Sequence, residues 1–284
     1  MSGTGRRRAA ALLAAATVCA GAEALAAADR PDLWFPVGEE THYRIYWGVV
    51  PVGRSYTTTQ WIEEDGRTLL SIRFRTRTTD ILSKLYPVDD FLEAVIEPRT
   101  FLPVRFTKRL SEGRYRCDEI TTFDHGARTA HWESRTSVSR KDVEIDADTR
   151  DIITFMYYMR SRPLEPGLVQ HFRVMADEKV YDLTVRAREA ETFRVMDYGP
   201  VSSVRIEPEA AFQGLFVRKG RLWLWVSADE RRLLTKMVAR VPVASIALWL
   251  TEVRGPGNDR WVATGPRAGE QAESKAGKSH EHQH

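Results

Sequence analysis

The residues best placed to do chemistry are arginines at strand spacing: Arg73, Arg75 and Arg77, then Arg105 and Arg109, then Arg114 and Arg116. In an extended chain alternate residues point the same way, so each group shares one face. A guanidinium is a planar fork suited to carboxylate or phosphate, and neighbouring strands would merge these rows into a cationic face for an anionic glycan or lipid headgroup. The same spacing also lets the arginines pair across strands with Glu93, Glu97, Asp118 and Glu119 on a solvated sheet. Both readings stay open at this level. A second chemical set is aromatic, with Tyr43, Tyr46, Trp47, Tyr56 and Trp61 early, Tyr157 and Tyr158 midway, and Trp223, Trp225 and Trp249 late. Such residues build cores, and some of them can line the inside of a curved sheet that admits an acyl chain or sugar. The candidate ligand-binding residues are therefore Arg73, Arg75, Arg77 and Arg105, with Trp47 and Tyr157.

No catalytic set accompanies them. There is no Gly-x-Ser-x-Gly elbow and no Ser-x-x-Lys pair, and Cys117, between Arg116 and Asp118 in a strand pattern, reads as an inert buried thiol. Carboxylates adjoin at Glu63-Glu64 and Asp89-Asp90, but strand neighbours face opposite ways, whereas glycoside hydrolysis needs two carboxyls across a cleft. If either serves a site it is Asp89, lining a pocket, with Asp90 in a turn; neither shows a partner, so both read as solvated charge. Cys117, His125 and His131 match no zinc spacing; the terminal His280, His282 and His284 can converge on a transition metal in a flexible chain, but read first as a plain polar end. Gly48 and Gly53 flank Pro51 in a turn rather than a phosphate loop. No catalytic residue, metal site or cofactor is expected.

The elements that must position these residues are mostly strands. From Glu39 to Val253 apolar and polar residues alternate with period two between Gly, Pro, Asp and Asn turns. In Leu70 to Thr78, Ile72, Phe74, Thr76 and Thr78 share one face and the three arginines the other. Asp65-Gly66, Glu112-Gly113, His125-Gly126 and Lys219-Gly220 mark hairpin turns. One helix stands out near 150–161: Asp148 or Thr149 can cap it, Asp151 suits its first turn, and Ile152, Ile153, Phe155, Met156 and Met159 make a broad apolar face before Arg162-Pro163 ends it. A second helical turn is suggested at Ile81 to Tyr86. The fold class is thus mainly β: a curved antiparallel sheet or barrel, or two similar β lobes, around one central helix.

Residues 1–28 of the 284 read as a secretory signal peptide, with Arg6 to Arg8, an alanine-rich stretch and small-residue cleavage patterns. Residues 35–254 form the β-rich domain, and 264–284 a disordered tail. Removing the leader, with its three arginines and Glu23, lowers the net charge from +3 to +1, a balance unlike that of a nucleic-acid binder. It also removes Cys19, leaving Cys117 without a disulfide partner. No later segment is long and apolar enough to span a membrane as a helix, so the expected location is the periplasm.

Three stretches carry a resemblance: Phe35 to Glu39 leading into Tyr46 to Gly53, the helix Asp151 to Arg160 followed by Pro163-Leu164 and Gly167, and Leu224 to Leu233. Together they resemble the exported bacterial family called domain of unknown function 3108, across roughly Phe35 to Val253. Family members tend to place a proline soon after the third stretch, where this chain has Leu234-Thr235. The resemblance implies a β-rich exported protein with no assigned catalytic residue. The functional expectation is a non-enzymatic periplasmic protein binding an amphipathic or anionic envelope ligand, a lipid, lipopolysaccharide part or polysaccharide. The alternatives are a hydrolase of envelope glycans using Asp89, and a structural partner of another envelope protein.

Overall fold

In a computed structural model, residues 30–209, 221–241 and 244–256 are described. The leader, the tail with its histidines, and the Lys219-Gly220 turn lie outside the described residues.

The first half of the chain is an eight-stranded meander: β1 (Glu40–Trp47), β2 (Val50–Glu64), β3 (Arg67–Thr78), β4 (Asp89–Glu97), β5 (Leu102–Glu112), β6 (Tyr115–Asp124), β7 (Thr129–Ser134) and β8 (Ser139–Glu144), with the short helix α1 (Asp80–Ser83) between β3 and β4. Then come β9 (Arg150–Asp151), the helix α2 (Ile152–Met159), β10 (Val169–Ala176), β11 (Lys179–Val195), β12 (Gly199–Glu209), β13 (Arg221–Ser227), β14 (Leu234–Val241) and β15 (Ala244–Arg254). Among the described residues the fifteen strands make one sheet, ordered from β8 down to β1 and then from β15 down to β9. The two halves are continuous through the antiparallel β1–β15 pair, Glu40 opposite Arg254 and Trp47 opposite Ile246. Every ladder is antiparallel except the parallel β9–β10 pair, Val174 opposite Arg150. The sheet curls without closing, as the right-handed twist of so many strands demands.

The expected alternation places the inner wall. Leu70 and Ile72 are fully buried and pack in the main core with Phe74, while the arginines between them face outward. Asp65 and Gly66 both take positive φ, 50° and 71°, as a two-residue hairpin turn requires. β8 has no counterpart in the expected strands: Ser139 to Glu144 is exposed except at Val143, so no apolar alternation marks it.

α2 lies within the curl, with Ile152, Ile153, Phe155, Tyr157 and Met159 buried against core residues from both halves of the sheet. Asp151 is its cap rather than a first-turn residue, accepting from the backbone N–H of Ile153 at 2.8 Å and of Thr154 at 3.0 Å. Thr149 instead closes the preceding turn, its hydroxyl accepting from Asp146 N–H at 2.9 Å. At the other end of the helix, Arg160 Nη1 donates to the fully buried Glu39 carboxylate at 2.7 Å, and Arg231 Nη2 donates to its second oxygen at 2.6 Å. This buried triad ties α2 to the entry of β1 and to the β13–β14 turn. A third tie joins the halves at Lys108 on β5. Its ammonium meets Glu119 on β6 at 2.6 Å and also Asp177 in the β10–β11 turn.

Candidate functional site

The helix does not fill the curl. Among the described residues three adjoining spaces surround it, and Met156 lines all of them. The largest encloses about 1400 Å³ including its open mouth. Its wall comes from the inward residues of β1 to β5, β14 and β15, among them Ile45, Leu92, Leu110 and Leu248, and from Ile152, Ile153 and Met156 of the helix. A second, much narrower space adjoins the C-terminal half of the helix, against Tyr43, Thr57, Val185, Ile206 and Leu224. The third, narrower still, lies between the helix and Leu183, Leu222 and Met237. The largest, about 380 Å³ without the open solvent at its mouth, has the size and apolar character of a chamber that houses small ligands.

The chamber follows from local patterning. On β2 the inward positions are Ser55, Thr57 and Thr59, all buried, opposite the apolar inward faces of the other strands. Ser55 and Thr59 are satisfied within the wall, Ser55 donating to Arg75 O at 3.2 Å and Thr59 to Glu39 O at 3.3 Å. The Thr57 hydroxyl borders the second space with no hydrogen-bond partner. A buried hydroxyl left unpaired costs free energy, so it favours a ligand that offers an acceptor there.

At the mouth the polar groups are Thr76, Arg77, Thr78, Asp90 and Glu112. Burial pushes the Asp90 carboxyl up to about 6, opposed by the Ser111 N–H it accepts at 2.9 Å and reinforced by the neighbouring Glu112 and Asp89. The polar end of the chamber is therefore acidic, with Arg77 at its edge.

The arginine rows take the other face. Arg73 Nε donates to Glu93 at 2.7 Å, Arg75 holds Asp89 with two hydrogen bonds of 3.0 and 2.9 Å, and Arg77 reaches the same carboxylate at 3.1 Å. Arg105 forks onto Glu64 at 3.0 and 2.7 Å. These pairs hold the Asp89 and Glu64 carboxyls below their ordinary values, chiefly through the arginine hydrogen bonds. Of the candidate ligand residues, Arg73, Arg75 and Arg105 are thus ion-paired across the wall from the chamber. Arg77 borders its mouth, Tyr157 lines the second space, and Trp47 is exposed at the end of β1. The roles expected of the two adjacent aspartates are exchanged, because Asp90 faces in and Asp89 faces the arginines. The late aromatics also face out: Trp225 and Trp249 stack on the Lys236 ammonium, each with its ring centre 4.4 Å away, so the chain's own cation fills that cage.

Thr57, Met156, Asp90 and Glu112 were not among the candidate ligand residues. Met156 was visible on the apolar face of the helix, and Asp90 by its position beside Asp89. Neither carries a local sign of a cavity. Cys117 is buried, and desolvation raises its thiol to about 12, which suits an inert role. Among the described residues no three His, Cys, Asp or Glu side chains gather as metal ligands.

A family model described as "Protein of unknown function (DUF3108)" matches residues 42–251. The chain belongs to the DUF3108 family. This DUF3108 protein also matches, with a TM-score of 0.51 and 11% identity, the crystal structure of a β-barrel-like protein of domain of unknown function DUF1849 from Brucella abortus, over 77% of this chain and 98% of that one. The likeness is one of fold. No curated protein matches the sequence.

Proposed function

We propose that this protein is a non-enzymatic periplasmic binding protein that takes the apolar part of an amphipathic envelope ligand, a lipid or a lipopolysaccharide part, into the chamber around α2. The observation that carries this reading is the space of about 380 Å³, mostly apolar along its wall and charged only at its open end, at Arg77, Asp90 and Glu112. Burying a chain there gains about 0.8 kcal/mol per methylene. The ligand's polar part stays at the mouth, beside Asp90, Glu112 and Arg77. Because two of those three groups are carboxyls, the headgroup that fits is one rich in hydroxyls or amines. The signal-peptide pattern at the N-terminus supports an exported compartment.

The test is uptake of an environment-sensitive fluorescent fatty acid by the purified protein, with native mass spectrometry for a retained lipid. Met156→Trp places a large ring where all three spaces meet and should weaken uptake about tenfold or more, in line with the loss of a buried apolar contact. Uptake that is absent in the wild type, or unaltered in the variant, would overturn the assignment. One observation favours a second reading, hydrolysis of envelope glycans: Asp90 titrates near 6 beside Glu112, as a general acid would. Asp89, held by Arg75 and Arg77, does not serve there. The hydrolytic reading requires turnover that disappears in Asp90→Asn.

A further inference from the structure

The chamber's mouth is ringed by exposed apolar side chains. Trp47, Val49 and Val50 sit in and beside the β1–β2 turn, and Ile81, Leu85 and Tyr86 in the β3–β4 connection. Val49, Ile81 and Leu85 are 90%, 83% and 82% exposed. These segments form one surface. Thr79 N–H donates to Val52 O at 3.0 Å, Gly113 N–H at the β5–β6 turn donates to Pro87 O at 2.8 Å, and Gly48 N–H donates to Ser245 O at 2.9 Å. The turns therefore stand side by side at the end of the sheet where Val52, Thr78, Val88 and Glu112 line the opening. Elsewhere among the described residues, exposed large apolar side chains occur singly, at Val138, Val169 and Met196.

Exposing this much apolar surface in water is unfavourable, and a contiguous patch marks a contact surface. Its chemistry points to one kind of contact. Trp47, Tyr86 and Tyr115 carry a polar tip on an aromatic body, the side chains that settle at the boundary between lipid and water. Arg54, Lys84 and Arg114 at the same end are exposed and have no carboxylate partner among the described residues, and Arg116 donates only to backbone carbonyls of its own turn. On the outer wall, by contrast, Arg73, Arg75, Arg105, Arg186 and Arg188 are each matched to a carboxylate. Of the acids at this end, Asp89 is neutralised by Arg75 and Arg77, Asp90 and Glu112 are half-buried inside the mouth, and Asp80 is exposed on the α1 turn, so the outward-facing rim carries more cations than anions. No helix among the described residues is long and apolar enough to cross a membrane, and these side chains sit on or beside turns, whose reach matches the headgroup region.

We propose that this rim docks on an anionic lipid bilayer, the turn tips entering the headgroup region so that the chamber opens directly onto the lipid. The proposal rests on the reading of the chamber as an amphiphile site, and supplies its ligand source: a membrane lipid that slides between bilayer and chamber without crossing water. Each large side chain that inserts adds roughly a tenfold gain in partitioning, and the cations add attraction that salt screens.

The experiment is co-flotation of the purified protein with vesicles of mixed phosphatidylethanolamine and phosphatidylglycerol, beside vesicles of phosphatidylcholine alone. The wild type should bind the anionic vesicles. Trp47→Ser with Leu85→Ser should weaken that binding about tenfold or more, while Met196→Ser, an exposed apolar residue near the opposite end of the β1–β15 pair, leaves it unchanged. Lys84→Glu with Arg114→Glu should weaken binding to the anionic vesicles and not to phosphatidylcholine. All the altered residues are exposed, and uptake of the fluorescent fatty acid in vesicle-free solution reports whether fold and chamber survive. Rim variants that keep this uptake but lose vesicle binding establish the docking surface. A wild type that ignores vesicles, rim variants that bind them as well as the wild type, or a rim whose only effect is on self-association in sedimentation would overturn it. Vesicle binding through the rim with no fatty-acid uptake would leave the docking surface in place and remove the chamber's proposed role.

Discussion

The two ends of α2 meet opposite conditions. At the C-terminal end every strong charge is answered: Glu39 receives Arg160 and Arg231, and the Arg160 guanidinium also lies 5.0 Å from the Phe35 ring centre and 5.1 Å from that of Tyr157. At the N-terminal end the helix faces open space, a half-buried Asp90, and a rim of exposed apolar turns. Buried charge is costly unless paired and hydrogen-bonded, so the closed end must be a rigid anchor. The open end leaves polar and apolar groups unmatched, which is where a ligand gains most by binding. The difference separates what holds the plug from what the plug leaves available.

Breaking the anchor should have the largest effect. Arg160→Met strips one partner from a fully buried carboxylate and should cost about 3–5 kcal/mol in denaturant unfolding, with fatty-acid uptake lost as the helix shifts. If stability barely changes, the triad is not the anchor. Filling the open side with Met156→Trp should act mainly on uptake, with a stability change of about 1–3 kcal/mol from overpacking.

A pH series sharpens the contrast further. The Asp90 carboxyl is raised in the folded state from 3.8 to about 6, so the folded protein holds this proton more tightly than the unfolded chain. The resulting stability is fully present below 3.8 and is lost as pH rises through about 6. Asp90→Asn cannot titrate there, and its stability relative to wild type should rise across that window by about 1 kcal/mol once solvent screening of a half-buried site is counted. Parallel pH curves for the two proteins would show that Asp90 is not desolvated. The smallest effect is expected on the outer wall. Replacing Arg73, Arg75 and Arg105 by Gln removes partly exposed pairs worth about 0–1 kcal/mol each and should leave fatty-acid uptake near wild type. A large loss of uptake would return the ligand site to the arginine face.

The fold was legible because each strand states its two faces locally. Ile72, Phe74, Thr76 and Thr78 against Arg73, Arg75 and Arg77 defines a wet side and a dry side, and Ile152 to Met159 announces a helix buried on most of its surface. β8 escaped because a strand exposed nearly all round has no period to detect. The site was far less legible. Alternation says that Asp89 and Asp90 face opposite ways but not which of them faces in, since that depends on the direction in which the sheet curls. The arginines share a face, as their spacing requires, yet whether they bind a ligand or one another's neighbours depended on Glu93, Asp89 and Glu64 arriving opposite them in register.

The sequence by itself determined a mainly β chain of the DUF3108 family, the place of the helix Ile152–Met159, and the absence of a recognisable catalytic motif. Only the tertiary structure decided that the helix stands inside the curl, that Asp90 and Glu112 meet at a mouth, and that turns distant in the chain share one apolar rim. Strand period and helix capping are short-range properties of neighbouring residues. A cavity is the space left between residues far apart in sequence, and it exists only once the sheet has curved around its plug.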